Sequence, residues 1–279
     1  QEGQGQGQGQ GLARAAADAA LALAAGAHEP QVIWPGCLLD IPRQQTSPRP
    51  PRSSGSDSHE KRGHPFTYVD RHMVPPPAGP VTLVCCNTTA GVLNIEVHPA
   101  WAPLGAARFL QMVRSGFFGT EVGLFRALKG FLVQFGLAGV PLVQKEYRKM
   151  RMVDDPQWLP PGPHNRQING TKRFQRGYLS YAGAGKDSRG TQLILAFEDS
   201  LGLGGGSPWE VPWGQLFGES SFLTLARIYT GYGEKPSQGK IIGQGSVYLH
   251  REFPLLDAIT QCAVTRVDVP WKYTHDFSA

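Results

Sequence analysis

Apolar and polar positions alternate in short runs from about residue 80 onward. A β-branched run, "VTLVCC" (81–86), is followed by the turn cluster "NTTAG" and by "VLNIEV" (92–97), in which apolar and polar residues alternate. Together they predict a β-hairpin with one buried face. The spacing then becomes helical in "APLGAARFLQMVRSG" (102–116), where Pro103 suits the first turn and a glycine suits the C-cap. The predicted order is therefore strand, strand, helix.

Later segments repeat the short-strand pattern. We predict strands within 124–136, 177–185, 190–197 and 213–219, a helix over 220–231, and a helix leading into a closing strand over 251–267. The polar, proline-rich stretch of about 141–170 has little periodicity and predicts no regular element. Many short strands, few helices and a strand at each end predict a mainly β fold, a closed antiparallel β-barrel with helices capping its ends.

The first 63 residues have a different composition. An alternating Gln/Gly tract (3–11) and a Pro/Ser/charged segment (41–63) contain too few apolar residues to offset their ordering entropy by burial. We predict that residues 1–63 form a largely disordered, low-complexity region and linker, and that residues 64–279 form the folded domain. The apolar island "QVIWPGCLLDI" (31–41) is the exception, and it either docks on the main domain or binds something else.

The sequence contains no run of apolar residues long enough to span a membrane. The Ala/Leu-rich segment 12–27 comes nearest, but Arg14 and Asp18 interrupt it, so it reads as a marginal helix or the remnant of a targeting segment. The chain begins with Gln rather than Met, from which we expect the natural N-terminus to lie upstream. The compartment stays unknown, although sequons at Asn87 and Asn169 favour a secretory lumen or an organelle.

Charge and cysteine content exclude several kinds of site. The net charge of +5 is spread along the chain, and the basic run "KEYRKMR" (145–151) lacks interleaved aromatic residues, so no nucleic-acid partner is expected. The cysteines have no CxxC spacing, so neither a metal site nor another cofactor is expected. Adjacent Cys85 and Cys86 would point to opposite faces of a strand, and a disulfide from either to Cys262 stays open. We expect a monomer.

The stretch "LFRALKGFLVQFG" (124–136) raises a specific question. It is almost wholly apolar, yet it contains Arg126, Lys129 and Gln134. Buried arginines are rare unless another group pairs with them. An arginine in a strand is usually a surface residue whose aliphatic stem packs on apolar neighbours, so the run by itself leaves the role of its guanidinium and carboxamide open.

Four sequence blocks together resemble the cyclophilin family of peptidyl-prolyl isomerases. They are "APLGAARFLQMV", "LFRALKGFLVQFG", "GYLSYAGAGKDSRGTQLIL" and "SPWEVPWGQLFGES", in the family's order over about residues 80–230. The resemblance implies a cyclophilin-like domain over 64–279 with an extra C-terminal helix-strand segment. It also implies a peptidyl-prolyl cis-trans isomerase, or rotamase, that assists protein folding without a cofactor and acts on proline-containing segments of client proteins.

The resemblance also implies roles for individual residues. It makes Arg126 the catalytic arginine and assigns substrate binding to Phe131, Leu132, Gln134, Ala182, Gly183, Gln192, Ile194 and Trp209. Four positions depart from the family pattern: Ile194 replaces a pocket phenylalanine, Gly214 the pocket histidine, Gly183 a groove asparagine, and Phe125 the histidine before the arginine. These departures imply a reshaped pocket.

Prolyl isomerisation forms and breaks no covalent bond, so it needs no nucleophile, metal or general base. Rotation about the X–Pro bond must break amide resonance against a barrier of about 18–20 kcal/mol, and a donor that favours the twisted, pyramidal nitrogen lowers it. An arginine such as Arg126 suits that role because it is always charged and its fork is rigid. Two other hypotheses stay open: a binding module with little turnover, and a structural subunit anchored by residues 1–63 and about 232–279.

Overall fold

The computed structural model describes residues 34–41, 79–156, 174–199, 203 and 208–271. The low-complexity character predicted for most of residues 1–63 falls outside this described part. So do the segment 12–27 and the sequon at Asn169. None of the helices within the described ranges is long and apolar enough to cross a membrane.

Short strands dominate the described chain, as the sequence predicted. The strands are β1 (Pro80–Thr88), β2 (Gly91–Val97), β3 (Val122–Gly123), β4 (Arg126–Leu128), β5 (Leu132–Phe135), β6 (Tyr178–Tyr181), β7 (Leu193–Ala196), β8 (Gly214–Leu216) and β9 (Ala258–Pro270). The helices are α1 (Pro103–Arg114), α2 (Pro141–Tyr147), α3 (Glu219–Arg227), α4 (Gln238–Gln244) and α5 (Ser246–Glu252). Short 3₁₀ helices cover Phe117–Thr120 and Pro208–Glu210.

These strands form one antiparallel sheet in the order β3-β9-β1-β2-β8-β6-β7-β5-β4. The two edge strands, β3 and β4, are separated by only Leu124 and Phe125, so the sheet must curl until its edges meet. The sequence predicted a closed barrel. Within the described residues, β3 and β4 are connected by the backbone of the two residues between them, and no ladder of hydrogen bonds joins the two strands. The free edge of β4 bonds to a later loop instead, because the Ala127 amide donates to the Gly233 carbonyl.

The C-terminal segment is part of this sheet. Strand β9 pairs with β1 from Pro80 to Thr88, with register shifts along the way. The helix predicted within 251–267 is misplaced: α5 ends at Glu252, and Pro254 follows in the turn before β9. The sequence also missed helix α2 in the stretch predicted to be irregular. Pro141 occupies its first turn, where a missing amide hydrogen costs nothing.

Alternate residues of each strand face the interior of the barrel. Val84 of β1, Ile95 of β2 and Leu195 of β7 pack there with Phe109 of α1 and with Trp213. Phe109 and Trp213 stack with ring centroids 4.3 Å apart. This apolar interior supplies most of the burial that holds the sheet and α1 together.

The two adjacent cysteines of β1 form disulfides on opposite faces of the sheet. Cys86 bonds to its cross-strand partner Cys262 of β9, and both belong to the interior cluster. Cys85 bonds on the outer face to Cys37. The opposite orientation of the two side chains confirms the prediction. The sequence left open whether Cys85 or Cys86 pairs with Cys262, and the structure shows that Cys86 does.

Residues 34–41, the N-terminal strap, dock on the outer face of β1, β2 and β9. Leu38 and Ile41 of the strap pack against an apolar cluster that contains Leu83. The Leu38 amide donates to Asn94 Oδ1 at 2.8 Å, and Asn94 Nδ2 donates to the Gly36 carbonyl at 3.1 Å. For residues 34–41, the described part of the apolar island, the structure therefore shows docking on the main domain, which was one of the two alternatives.

Candidate functional site

The β4–β5 hairpin places Arg126 and Gln134 side by side on the outer face of the barrel. The two residues are direct cross-strand partners, and Gln134 is in turn opposite Ile194 of β7. Neighbours in these strands, Val133 and Phe135, face the interior. The strand alternation therefore turns the polar residues of the apolar run outward, where the Arg126 side chain is 31% exposed.

Four side chains are linked here by hydrogen bonds, and we call them the amide chain. Arg126 Nη1 donates to Gln134 Oε1 at 3.3 Å, Gln134 Nε2 to Gln192 Oε1 at 2.8 Å, and Gln192 Nε2 to Gln238 Oε1 at 3.1 Å. Arginine can only donate, so it sets the orientation of the first amide and, through it, of the next two. Gln134 and Gln192 each use one side-chain N–H in this chain and keep a second one.

An open hollow of about 400 Å³ lies beside this chain. It is lined by Phe125, Arg126, Gln134, Glu234, Pro236 and Gln238. Glu234 Oε2 lies 3.1 Å from Arg126 Nε. Three of the lining residues come from the loop before α4 and from its first turn. The sequence analysis missed them, because no pattern in "GEKPSQGK" ties that loop to a strand more than a hundred residues earlier.

The family resemblance implies that Phe131, Leu132 and Ile194 form the slot for a proline ring, and these three residues lie together but are covered to different extents. Leu132 is 3% exposed and Ile194 is 4% exposed, while Phe131 is partly buried at the edge of the same cluster. Phe174 and Leu203 also belong to this cluster. The predicted slot is therefore filled by the protein's own side chains. The sequence analysis did not identify the two additional residues, which lie in stretches without periodicity.

Trp209 lies against the backbone of Gly183, next to Ala182. A Cβ added at Gly183 would come within 2.5 Å of Trp209 Cγ, so no larger residue fits unless the indole moves. Gly214 has a similar constraint, because a Cβ there would come within 2.7 Å of the Glu96 carbonyl oxygen. Both departures from the family pattern thus have a steric reason in this structure. The close approach of Trp209 and Gly183 brings two predicted site residues together.

A buried ion pair supports the loop that carries Ala182 and Gly183. Arg189 is fully buried, and its Nη1 lies 2.8 Å from Asp155 Oδ2. The same carboxylate accepts the Leu104 and Gly105 amides at the start of α1, both at 2.8 Å. Asp155 thus supplies the cap that Ala102 cannot, and it ties the loop to the helix.

The predicted glycosylation site at Asn87 lies within β1. Its Nδ2 donates to Thr260 Oγ1 of β9 at 3.0 Å, and the residue is partly buried. Modification of Asn87 stays a prediction.

Comparison with known proteins shows the family. The sequence profile described as "Cyclophilin type peptidyl-prolyl cis-trans isomerase/CLD" matches residues 83–243. A peptidyl-prolyl cis-trans isomerase-like 3 of Neurospora crassa is 28% identical over 149 residues, covering 52% of this chain and 81% of that protein. A peptidyl-prolyl cis-trans isomerase of Helicobacter pylori is 26% identical over 147 residues, covering 52% and 79%.

Other matches differ in how much of each chain they cover. An isomerase-like 2 protein of Emericella nidulans is 27% identical over 118 residues, which are 40% of this chain but only 17% of that protein. Among solved structures, a cyclophilin type peptidyl-prolyl cis-trans isomerase of Cryptosporidium parvum matches with a TM-score of 0.44 and 20% identity, covering 66% of this chain and 97% of the other. Because the profile match spans more than half of the sequence, the chain belongs to the cyclophilin-type peptidyl-prolyl cis-trans isomerase family, as its four sequence blocks predicted.

Proposed function

We propose that the protein catalyses cis/trans rotation of X–Pro bonds in proline-containing segments of client proteins. The observation that carries the proposal is the position of Arg126, a permanently charged fork held at the lip of an open hollow beside Gln134. Membership of the isomerase family supports it. The relatives named as isomerases indicate the class of reaction, and the geometry indicates which side chains would act in it, Arg126 and Gln134.

In this proposal Arg126 stabilises the twisted state of the amide. Two of its nitrogens, Nε and Nη1, are already bonded to Glu234 and Gln134, and no hydrogen bond of Nη2 falls among the described residues. Nη2 is thus the donor available to the proline nitrogen, whose lone pair becomes an acceptor only when the amide twists. The partial burial of the Arg126 side chain, which is 31% exposed, strengthens that bond relative to bulk water.

The remaining groups hold the peptide on either side of the rotating bond. The second N–H of Gln134 Nε2 would bind a substrate carbonyl, and the backbone at Ala182 and Gly183 would bind the residues before the proline in extended form. Phe131, at the edge of its apolar cluster, would contact the ring first. With one side of the peptide fixed, the other side turns.

The test is isomerase activity of the wild type and of Arg126→Ala on a proline tetrapeptide, followed by NMR exchange spectroscopy. We expect measurable catalysis that falls by at least about tenfold in the variant, because one donor to the transition state is lost. Arg114→Ala, which removes an exposed arginine at the end of α1, is the matched control and should match the wild type. Equal rates for the wild type and Arg126→Ala would remove Arg126 from the mechanism.

A binding module with little turnover is the second candidate, and one observation favours it. Leu132 and Ile194, which would form the floor of the proline slot, are covered within a cluster that includes Phe174 and Leu203. If that cluster does not open, a peptide can bind along the hollow without the contacts that twist the bond. Saturable peptide binding in a calorimeter, with no exchange enhancement in the same sample, would favour this function.

A further inference from the structure

We propose that Glu234 is a positioning residue for Arg126. Its carboxylate fixes the guanidinium so that the remaining N–H groups face the hollow. This inference rests on the proposed function, since it assigns Glu234 a role in that same site. Glu234 lies in the segment 232–244, to which the sequence analysis gave no role at the site. The structure carries the inference in four steps.

The backbone brings Glu234 to Arg126. The Ala127 amide of β4 donates to the Gly233 carbonyl at 3.0 Å, which ties the loop to the residue next to the arginine. Gly233 has a φ of +58°, a left-handed conformation that favours glycine. The following residue, Glu234, is thereby directed along the outer edge of β4 toward the Arg126 side chain.

The loop is anchored on its other side as well. Pro236 is buried, and the Ser237 amide donates to Tyr248 Oη at 3.1 Å. The Ser237 side chain caps α4 by accepting from the Lys240 amide. The acidic residue therefore lies between two fixed points and is not carried by a free surface loop.

A small apolar core holds the α4–α5 pair against the barrel. Phe125, the residue before the arginine, is buried there with Leu137, Ile241, Tyr248 and Leu249. A phenylalanine at this position, where the family pattern has a histidine, supplies the apolar surface on which the pair docks. The replacement of the family's histidine by Phe125 thus accounts for the packing of α4 and α5 beside the hollow.

The ion pair contributes orientation more than stability. Arg126 and Glu234 are 31% and 67% exposed, and pairs this exposed stabilise a fold very little. However, a planar guanidinium held at Nε by Glu234 and at Nη1 by Gln134 has lost its freedom to rotate. Gln238 of the same segment accepts from Gln192 and so terminates the amide chain. The segment therefore holds both ends of the polar row across the hollow.

A double-mutant cycle tests the proposal. We expect Glu234→Gln to lower kcat/KM by about fivefold, mainly through kcat, in the wild-type background, and to change it less than about twofold in the Arg126→Ala background. Glu234→Asp should recover part of the loss. The matched control is Glu146→Gln, which removes the same charge from a Lys149 ion pair with 61% exposure. It should behave as the wild type.

A second measurement does not depend on turnover. In the wild type the Nε–H NMR signal of Arg126 should be protected from solvent exchange, and Glu234→Gln should lose that protection while Glu146→Gln keeps it. An active enzyme with unchanged kcat/KM in Glu234→Gln, or with equal effects in both backgrounds, would overturn the inference and leave the proposed function standing. An inactive wild type would refute the proposed function. Separately, an unprotected Arg126 Nε–H in the wild type would refute the contact between Arg126 and Glu234.

Discussion

His98 is a buried imidazole on the outer side of the sheet, and it is not among the residues that line the hollow. It stacks on Trp101 with centroids 3.9 Å apart and meets the edge of Trp271 at 4.5 Å. Its Nε2 lies 3.1 Å from Glu96 Oε2, which also accepts from Gln215 Nε2 at 2.6 Å. Burial lowers the pKa of His98 below its ordinary value of 6.5, although the hydrogen bond to Glu96 opposes the shift. The folded protein therefore holds this imidazole neutral near pH 7.

This residue makes stability depend on pH. The unfolded chain takes up the His98 proton at about pH 6.5, before the folded protein does, so the stabilisation is complete above that pH and is lost as the pH falls below it. We expect the Tm of the wild type to decrease between pH 7 and pH 5.5. His98→Gln should flatten that slope, and the control His250→Gln, at an exposed position, should keep it. Parallel slopes for the wild type and His98→Gln in a thermal melt would contradict the assignment.

At the scale of elements, the close approach of the Ala182–Gly183 loop and the 3₁₀ helix Pro208–Glu210 is a specific constraint. Gly183→Asn restores the family's residue, but its Cβ would meet Trp209 Cγ at 2.5 Å, nearer than such atoms ever pack. We expect the indole to be displaced and the NMR signal of the Trp209 Nε–H to shift. Gly190→Asn is the control, because nothing lies within 4 Å of a Cβ at that position. An unmoved Trp209 signal in Gly183→Asn would show that the loop yields instead.

Elements that depend on local pattern were predictable, and contacts across the chain were not. The β1–β2 hairpin and α1 followed from alternation, a turn cluster and capping residues, all within about ten neighbours. The last helix was misplaced because its apolar residues, Tyr248 and Leu249, are buried by Phe125, which lies in the distant link between β3 and β4. Helix α2 was missed for a similar reason: Gln144 is buried within it and donates to Thr191 of another segment.

The candidate site shows the same difference between features set by local sequence and contacts made across the chain. Arg126, Gln134 and Gln192 were each assigned to the site through the family pattern, because they lie within two of its motif blocks. Glu234 and Gln238 were not, since only tertiary folding brings their loop to β4. The filling of the slot by Phe174 was also beyond prediction, because it depends on how a segment without periodicity folds back.

At the scale of the whole molecule, two disulfides connect distant parts of the chain. Cys86–Cys262 joins β1 to β9 across 176 positions, and Cys37–Cys85 holds the N-terminal strap across 48. We expect removal of either pair by double Cys→Ser substitution to lower the free energy of unfolding by about 2–4 kcal/mol. Denaturant melts measure this change. Removal of the Cys37–Cys85 pair should leave isomerase activity intact, because the strap packs on β1, β2 and β9 rather than on β4 and β5. Unchanged melting midpoints would contradict the stabilising role.

The strap has a consequence for what happens if the polypeptide is cleaved. Trypsin acting at an arginine between positions 42 and 78, such as Arg52 or Arg62, would divide the backbone into two pieces. The sulfur bridge from Cys37 to Cys85 would still hold them as one particle of nearly full mass. On a denaturing gel the shorter piece would appear only after a thiol was added. Everything that precedes Trp34 therefore stays attached to the barrel by a bond that a reductant can open.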